Sequence, residues 1–359
     1  MGVCDGRVWW ACVVGIQTEH EAMGWLGDGF DVAQQWLFES VLQPVMFAVG
    51  LGSQLENGYK AAGWVLVGLL QLLVIVAVIG PLQRWRPVEP VTDRATIRTD
   101  ILYTLIHRLG LFRLGLFLAV DPLMDSLFGT LRVAGISTFQ LDGLWPGVTD
   151  VPWVSLLLYL VVFDFVDYWI HRGQHHFEWW WRLHSLHHAQ RQMTMWSDNR
   201  NHLLDDMLRD TILVVVAQLI GVAPGQFIAI VAITQLSESF QHANVRMWFG
   251  HWGERLWISP RFHRLHHSIG MGHETLKPLP EAAAAAQGAR HRTVLGGHNF
   301  GVLLPWWDML MRTANFELRF DPTGVRDQVE PGPDGRVRDY GRGFWSQQGR
   351  GVLRLLGKA

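Results

Sequence analysis

Eight histidines fall into three short patterns, HRGQH over 171–175, HSLHH over 184–188 and HRLHH over 263–267. Residues three and four apart share one face of a helix, so His184, His187 and His188 can reach a common point, as can His263, His266 and His267. His171 and His175 add a pair at i, i+4. Neutral imidazole is a common metal ligand, and eight imidazoles exceed what one ion coordinates, so the pattern predicts two metal ions. A lone HxxxH is more often a pair of surface side chains, whereas two HxxHH boxes beside an HxxxH have the spacing of a ligand set. All-imidazole donors suit first-row metals such as iron or zinc, and spacing does not choose between them. A zinc hydrolase usually places a carboxylate base beside its ligands, as in HExxH. Here only His273 with Glu274 comes near, and no second histidine follows at the required distance.

The elements that must carry these histidines read as membrane helices. Of 359 residues, 49% are apolar and only 17% charged, with 19 tryptophans, which favours one membrane-embedded body over two soluble domains. Cys4 and Cys12 lie far from every motif, so neither a disulfide framework nor a thiolate metal site is expected, and a reducing compartment fits. A net charge of -2 carries no signature of nucleic-acid binding. The opening MGVCDGRVWWACVVG lacks the basic start, apolar core and cleavage site of a secretory signal.

Three spans are expected, over about 61–80, 101–120 and 153–170, the first stopping at the proline of PLQRWRP and the third running directly into His171. The second holds His107, Arg108 and Arg113, which must face protein or snorkel. Loop charge alternates accordingly. Arg84, Arg86, Arg94 and Arg98 follow the first span, Arg132 alone follows the second, and Arg172, Arg182, Arg191, Arg200 and Arg209 follow the third, placing the first two boxes in the cytoplasm. The apolar stretch 211–236 is split by GVAPG at 221–225 into halves too short to cross. A re-entrant hairpin there keeps the third box on the same side as the first two. Residues 36–51 suggest an interfacial helix, 269–297 a mobile loop with solvated His273 and His291, and the stretch from Asn315 onward a polar, basic surface tail packed on the catalytic face, its segment FDPTGVRDQVEPGPDGRVRDYGRG without helical period. The expected fold is thus an all-α integral membrane protein, a transmembrane helix bundle with a re-entrant hairpin and a cytoplasmic, histidine-rich helical cap over a dimetal site. Its divisions are 1–60, 61–152, a catalytic region 153–314 and a tail 315–359.

Ligands at the cytoplasmic ends of membrane helices sit at headgroup depth, a position suited to oxidising an unactivated C–H bond of a lipid with iron and dioxygen. The segments DFVDYWIHRGQHH, WWWRLHSLHH, FQHAN, SPRFHRLHHS and NFGVLLPWWDMLMRT resemble the histidine boxes, intermediate histidine region and closing signature of the fatty acid hydroxylase and sterol desaturase superfamily of membrane-bound non-haem diiron enzymes. The resemblance covers about 165–313. It implies a cytoplasmic cap holding two iron ions, with O2 as co-substrate, over a helix bundle. The ligands it implies are His171, His175, His184, His187, His188, His263, His266 and His267, with His242 as a ninth. Where some members carry another histidine four residues before His242, this chain has Glu238, which could ligate, bridge or orient a histidine. His202 and His298 are expected to serve structure rather than ligation, Asp167 to take an imidazole N–H or face water, and Asp308 to orient a box histidine or cap the last helix. The insertion between His267 and Asn299 is longer than usual in the family, and MRT replaces its usual ending.

The function expected is a lipid hydroxylase or desaturase of the membrane. It would act on a sterol, acyl chain or related lipid and draw two electrons from a separate ferredoxin- or cytochrome-type donor, since no HPGG or glycine-rich dinucleotide motif occurs. The alternatives are a histidine-rich metal transporter or sensor, which would distribute its ionisable groups through the spans, and a membrane zinc hydrolase.

Overall fold

Backbone without water to bond to must close its hydrogen bonds internally, and this chain does so with helices. The computed structural model describes residues 28–113, 116, 120–136, 138–269, 297–331 and 335–358. Among them there is no β-strand, only an isolated bridge between Ser268 and Thr323. The expectations for Cys4, Cys12 and the N-terminal opening, and for His273 and His291 in the insertion, lie outside the described residues.

The chain divides into two units, 1–69 and 70–359. In the first, helix α1 (28–48) is followed by α2 (Gly52–Trp85), which runs on past the unit boundary. The ring of Phe38 meets Tyr59 edge-on at 5.5 Å, and Gln34 donates to the Tyr59 carbonyl at 2.9 Å. Both helices contain one π turn, Phe38–Leu42 and Ile75–Ile79, each ending just before a proline, Pro44 and Pro81. Proline lacks the N–H of the ladder and clashes with the preceding turn, and a widened turn absorbs both defects. The expected stop at Pro81 is therefore no stop, and α2 continues to Trp85.

In the second unit, α3 (Arg94–Arg108) is capped by Asp93, which accepts from the Thr96 N–H at 3.0 Å. It ends at Leu109, with Gly110 at φ 75, so the continuous helix expected over 101–120 is broken there. Gly110 supplies the left-handed residue that ends α3, and the face it closes is polar. Asp100, Thr104 and Arg108, four residues apart, are all buried and bond to protein partners. After α4 (Asp121–Val133) comes α5 (Pro152–His176), which starts with proline in its first turn. Among the described residues, helices α2 and α5 are the two long and apolar enough to cross a bilayer; the 25 residues of α5 extend roughly 37 Å against a hydrocarbon core of about 30 Å.

Only Phe177, in extended conformation, separates α5 from α6 (Glu178–His188). Helices α7 (Leu203–Ile220) and α8 (Pro224–Gln241) are separated at the break that GVAPG foreshadows: Gly221 closes α7 at φ 70 and Pro224 opens α8. Short helices follow, α9 (Gly250–Gly253), α10 (Pro260–His266), whose Ser259 cap accepts from the Phe262 N–H at 3.1 Å, and α11 (Trp306–Met311). A core of Tyr159, Leu160, Phe163, Trp180, Leu213 and Leu303 locks α5, α6, α7 and the segment before α11 together. The polar tail adds an element beyond the segment read as lacking helical period. It ends in an amphipathic helix, α12 (Phe344–Leu355), that packs along α6, and it buries Thr323, Val325 and Tyr340 on the way.

Candidate metal centre

Helix α5 ends in His171 and His175, α6 in His184, His187 and His188, and α10 in His263 and His266, with His267 as its C-cap; His242 caps α8. Four helix C-termini thus converge, and all nine imidazoles are buried. Ring nitrogens of His171, His175, His184 and His188 lie within 4.8 Å of one another, and so do those of His187, His242, His263 and His267; His266 joins His188 and His267 in a third such group. The chain of Nε2 atoms from His187 to His242, His263 and His267 advances in steps of 3.1 Å. A metal–imidazole bond of about 2.0–2.1 Å puts neighbouring ligand nitrogens about 3 Å apart, so this spacing fits one coordination shell.

The opposite edges of the rings are fixed. Nδ1 of His171 donates to the Phe300 carbonyl at 2.9 Å, that of His242 to the Glu238 carbonyl at 2.8 Å and that of His266 to the His298 carbonyl at 2.8 Å, while Nδ1 of His184 meets Asp205 at 3.0 Å. Each bond holds a proton on Nδ1 and leaves Nε2 bearing a lone pair. The Nε2 atoms of His171, His184, His188 and His266 are buried without a hydrogen-bond partner. Buried polar atoms are rarely left so, and several aimed at one centre are what a metal site requires. Burial, and then the neighbouring imidazoles, hold His187, His188, His263 and His267 well below the usual histidine range, and burial brings His266 down to about 3. The rings are neutral at physiological pH and available as donors.

The groups around the cage sort out the other candidates. Asp167 does not meet an imidazole; it pairs with Arg209 at 2.9 Å, because Arg209 of α7 rises beside it. Asp205 takes the orienting role, gripping His184 while accepting from Trp180 Nε1 at 2.7 Å and Gln174 Nε2 at 2.8 Å. Sequence reasoning missed it, although an acidic pair at the head of an apolar helix is a usable signal. Glu238 points its carboxylate to Arg209 at 3.2 Å, and only its backbone touches His242. His202 caps α7, accepting from Leu204 N–H at 3.2 Å, and reaches the Gln348 carbonyl at 2.9 Å, outside the cage. Asp164 binds the Leu303 and Leu304 amides at 2.7 and 3.1 Å. Asp308, raised by burial to about 6, accepts from the Phe300 and Gly301 amides at 2.9 and 2.7 Å and so holds the strand of backbone whose carbonyl orients His171.

A buried, all-histidine centre at the convergence of helix ends, carried by a chain with membrane-length helices, is the class of protein that the fold and site define. Residues 156–313, which contain every one of these histidines, match the family model for fatty acid hydroxylase. The family model and two kinds of relative together support the fatty acid hydroxylase and sterol desaturase superfamily for this histidine-box region. It is 27% identical to an ornithine lipid hydroxylase of Rhizobium tropici over 72% of this chain and 71% of that protein. To Delta(7)-sterol 5(6)-desaturases of Gibberella zeae and Aspergillus fumigatus it is 29% identical over 41% and 34% of its own length, and it spans 46% of each of theirs. No solved structure matches the chain. Family and relatives indicate an oxidoreductase of lipid metabolism, and the histidine clusters could hold metal.

Proposed function

We propose that the nine histidines hold two iron ions and that the protein hydroxylates or desaturates a membrane lipid with O2 and two electrons from a separate ferredoxin- or cytochrome-type donor. The observation that carries this reading is the pair of buried four-histidine clusters, His171, His175, His184 and His188 beside His187, His242, His263 and His267. Iron with dioxygen supplies the oxidising power for C–H cleavage. Insertion of one oxygen atom into a C–H bond, with the other leaving as water, consumes two electrons and two protons; removal of two hydrogens with both oxygens leaving as water consumes the same.

The chain's own part is to hold and exclude. Asp205 and the carbonyls of Phe300, Glu238 and His298 keep protons on the outer ring nitrogens, so the inner ones serve as donors. The core around Phe163, Trp180 and Leu303 shields one side from water. In this reading α2 and α5 cross the bilayer, the chain between them, over about 101–120, crosses back, α7 and α8 form a re-entrant hairpin, and 153–314 is the catalytic region facing the cytoplasm. The arginine-poor connection 121–152 and the arginine-rich stretch after α5 support that orientation. Lipid as substrate is supported by what the relatives' names state, an ornithine lipid in one case and a Delta(7)-sterol in the other two.

The test is metal content per chain in protein purified without chelators, with Mössbauer spectroscopy on iron-57-grown material. The reading expects about two irons in a coupled signal, lost in His187→Ala and His266→Ala variants. Stoichiometric zinc, or no metal after anaerobic iron reconstitution, overturns it.

A further inference from the structure

Exposed tryptophans mark both ends of α5. Trp153 stands in its first turn and Trp169 near its last, with the Arg172 guanidinium 5.4 Å from the centre of the Trp169 ring. Tryptophan collects at membrane–water interfaces, and arginine on their cytoplasmic side. At 1.5 Å per residue the two tryptophans are about 24 Å apart along the axis, a spacing of the order of the hydrocarbon core. Where α5 is read as a span, Trp169 marks its cytoplasmic boundary.

A second segment is fastened to α5 inside that boundary. Asp164 accepts from the Leu303 and Leu304 amides at 2.7 and 3.1 Å and from Trp307 Nε1 at 2.9 Å. The Trp307 ring lies 4.7 Å from that of Phe165, which in turn meets Trp169 edge-on at 6.3 Å. Phe165 and Asp164 precede Trp169 on the helix by four and five residues, so these attachments lie about 6–8 Å to the hydrocarbon side of it. Backbone outside a helix is tolerated at such depth only where protein satisfies its amides. Asp164 does so for Leu303 and Leu304, Asp308 does so for Phe300 and Gly301, and both carboxylates are buried. The outward side of α11, by contrast, is apolar and open: Trp306, Met309 and Leu310 are exposed, Leu310 at 65%. Leu256 extends the same face, joined to it by the bond from Trp306 Nε1 to the Arg255 carbonyl at 2.9 Å. Six residues long, α11 is far too short to cross, and exposed Arg312 follows it at φ 60.

We infer that residues 303–311 enter the cytoplasmic leaflet without crossing it, with Trp306, Met309 and Leu310 against lipid chains and Arg312 reaching back to the phosphate headgroups. The inference rests on the reading of α5 as a span. It gives the metal centre a lipid-facing neighbour, because the same segment begins beside the histidines. Phe300 is buried with its ring 5.3 Å from that of His175 and 5.7 Å from that of His266, and its carbonyl holds His171. A lipid of the cytoplasmic leaflet thus meets the segment that closes the cage.

Spin labelling of the full-length protein in vesicles of phosphatidylcholine and phosphatidylglycerol tests the inference. Cys4 and Cys12 are replaced by serine, and single Leu310→Cys, Met309→Cys, Leu157→Cys and Glu330→Cys variants carry the label, with thermal unfolding confirming that each folds. Power saturation compares collisions with O2, which concentrates in hydrocarbon, and with a water-soluble nickel chelate. At positions 309 and 310 the ratio of oxygen to nickel collisions is expected to match that of exposed Leu157 on α5 and to exceed severalfold that of exposed Glu330. Ratios at 309 and 310 equal to that at 330, with 157 in lipid, overturn the inference and leave α5 as a span. Nickel access at 157, 309 and 310 together overturns both. Lipid contact at 309 and 310 with 157 in water upholds the leaflet surface and removes only the crossing of α5.

Discussion

At the scale of single residues, the centre depends on protons held away from the metal side of each ring. Asp205 is the most exacting of these holders, because it is buried and one carboxylate serves His184, Trp180 and Gln174 together. An Asp205→Asn substitution keeps the volume but removes the charge that favours the Nδ1–H tautomer of His184. Such outer partners of metal histidines contribute roughly 10- to 100-fold in metal affinity. The variant is expected to fold and to lose iron to a chelator in that proportion, measured by competition titration; unchanged affinity would deny Asp205 its role. The carbonyls of Phe300, Glu238 and His298 do the same work from the backbone, where substitution cannot remove them.

Among the elements, α12 is bound to α6 and to the start of α7 through contacts that leave no room for a larger residue. A Cβ added at Gly351 would lie 2.1 Å from His202 Cδ2, and His202 is fixed at both ring nitrogens, by the Leu204 N–H and the Gln348 carbonyl. Alanine gains about 1 kcal/mol over glycine inside a helix, whereas overpacking costs about 1–3 kcal/mol. Gly351→Ala is therefore expected to lower the thermal unfolding midpoint by several degrees while the nine histidines still take up metal. A rise in the midpoint would show that α12 docks loosely. Similar closeness governs the segment before α11, where a Cβ on Gly301 would meet Asp308 Oδ2 at 2.8 Å and push the Phe300 carbonyl away from His171.

For the molecule as a whole, packing many imidazoles in one interior ties stability to pH. The folded His266 has its pKa at about 3, below the ordinary 6.5 of an unfolded chain. Above about pH 6.5 neither state binds a proton there. Below it the unfolded chain does and the folded one does not, so stability falls as pH drops from about 6.5 toward 3, at about 1.4 kcal/mol per pH unit for each such histidine. His187, His188, His263 and His267 are lowered in the same direction and steepen the loss. Metal-free protein is expected to melt at markedly lower temperature at pH 5 than at pH 7.5, a difference that thermal denaturation measures directly. A flat profile would mean that the imidazoles are not buried in solution.

How much of this was legible beforehand follows from where each kind of information resides. Histidine spacing is local, and three helical boxes declare a ligand set without knowledge of their neighbours, as GVAPG declares the break between α7 and α8. The family resemblance, carried by the same local motifs, added His242 to that set. Partner choice is not local. Asp167 lies one helical turn from His171 yet goes to Arg209, and Asp205, 21 residues from His184, takes the imidazole, because only the packing of α7 against α5 and α6 decides which carboxylate arrives. The continuous helix expected over 101–120 breaks at Gly110, at φ 75, while the partners of Arg108, Asp198 and Ser239, come from distant segments. The final helix was missed because Phe344–Leu355 mixes polar residues with Gly349 and Gly351 and shows its amphipathic face only where it packs along α6. Sequence alone determined the candidate ligand set and the helical, membrane-prone character of the chain, since both depend on residue type and short-range period. Tertiary structure decided which group steadies each ligand and which segment is fastened to α5 beside them, because those depend on side chains that meet only after the helices pack.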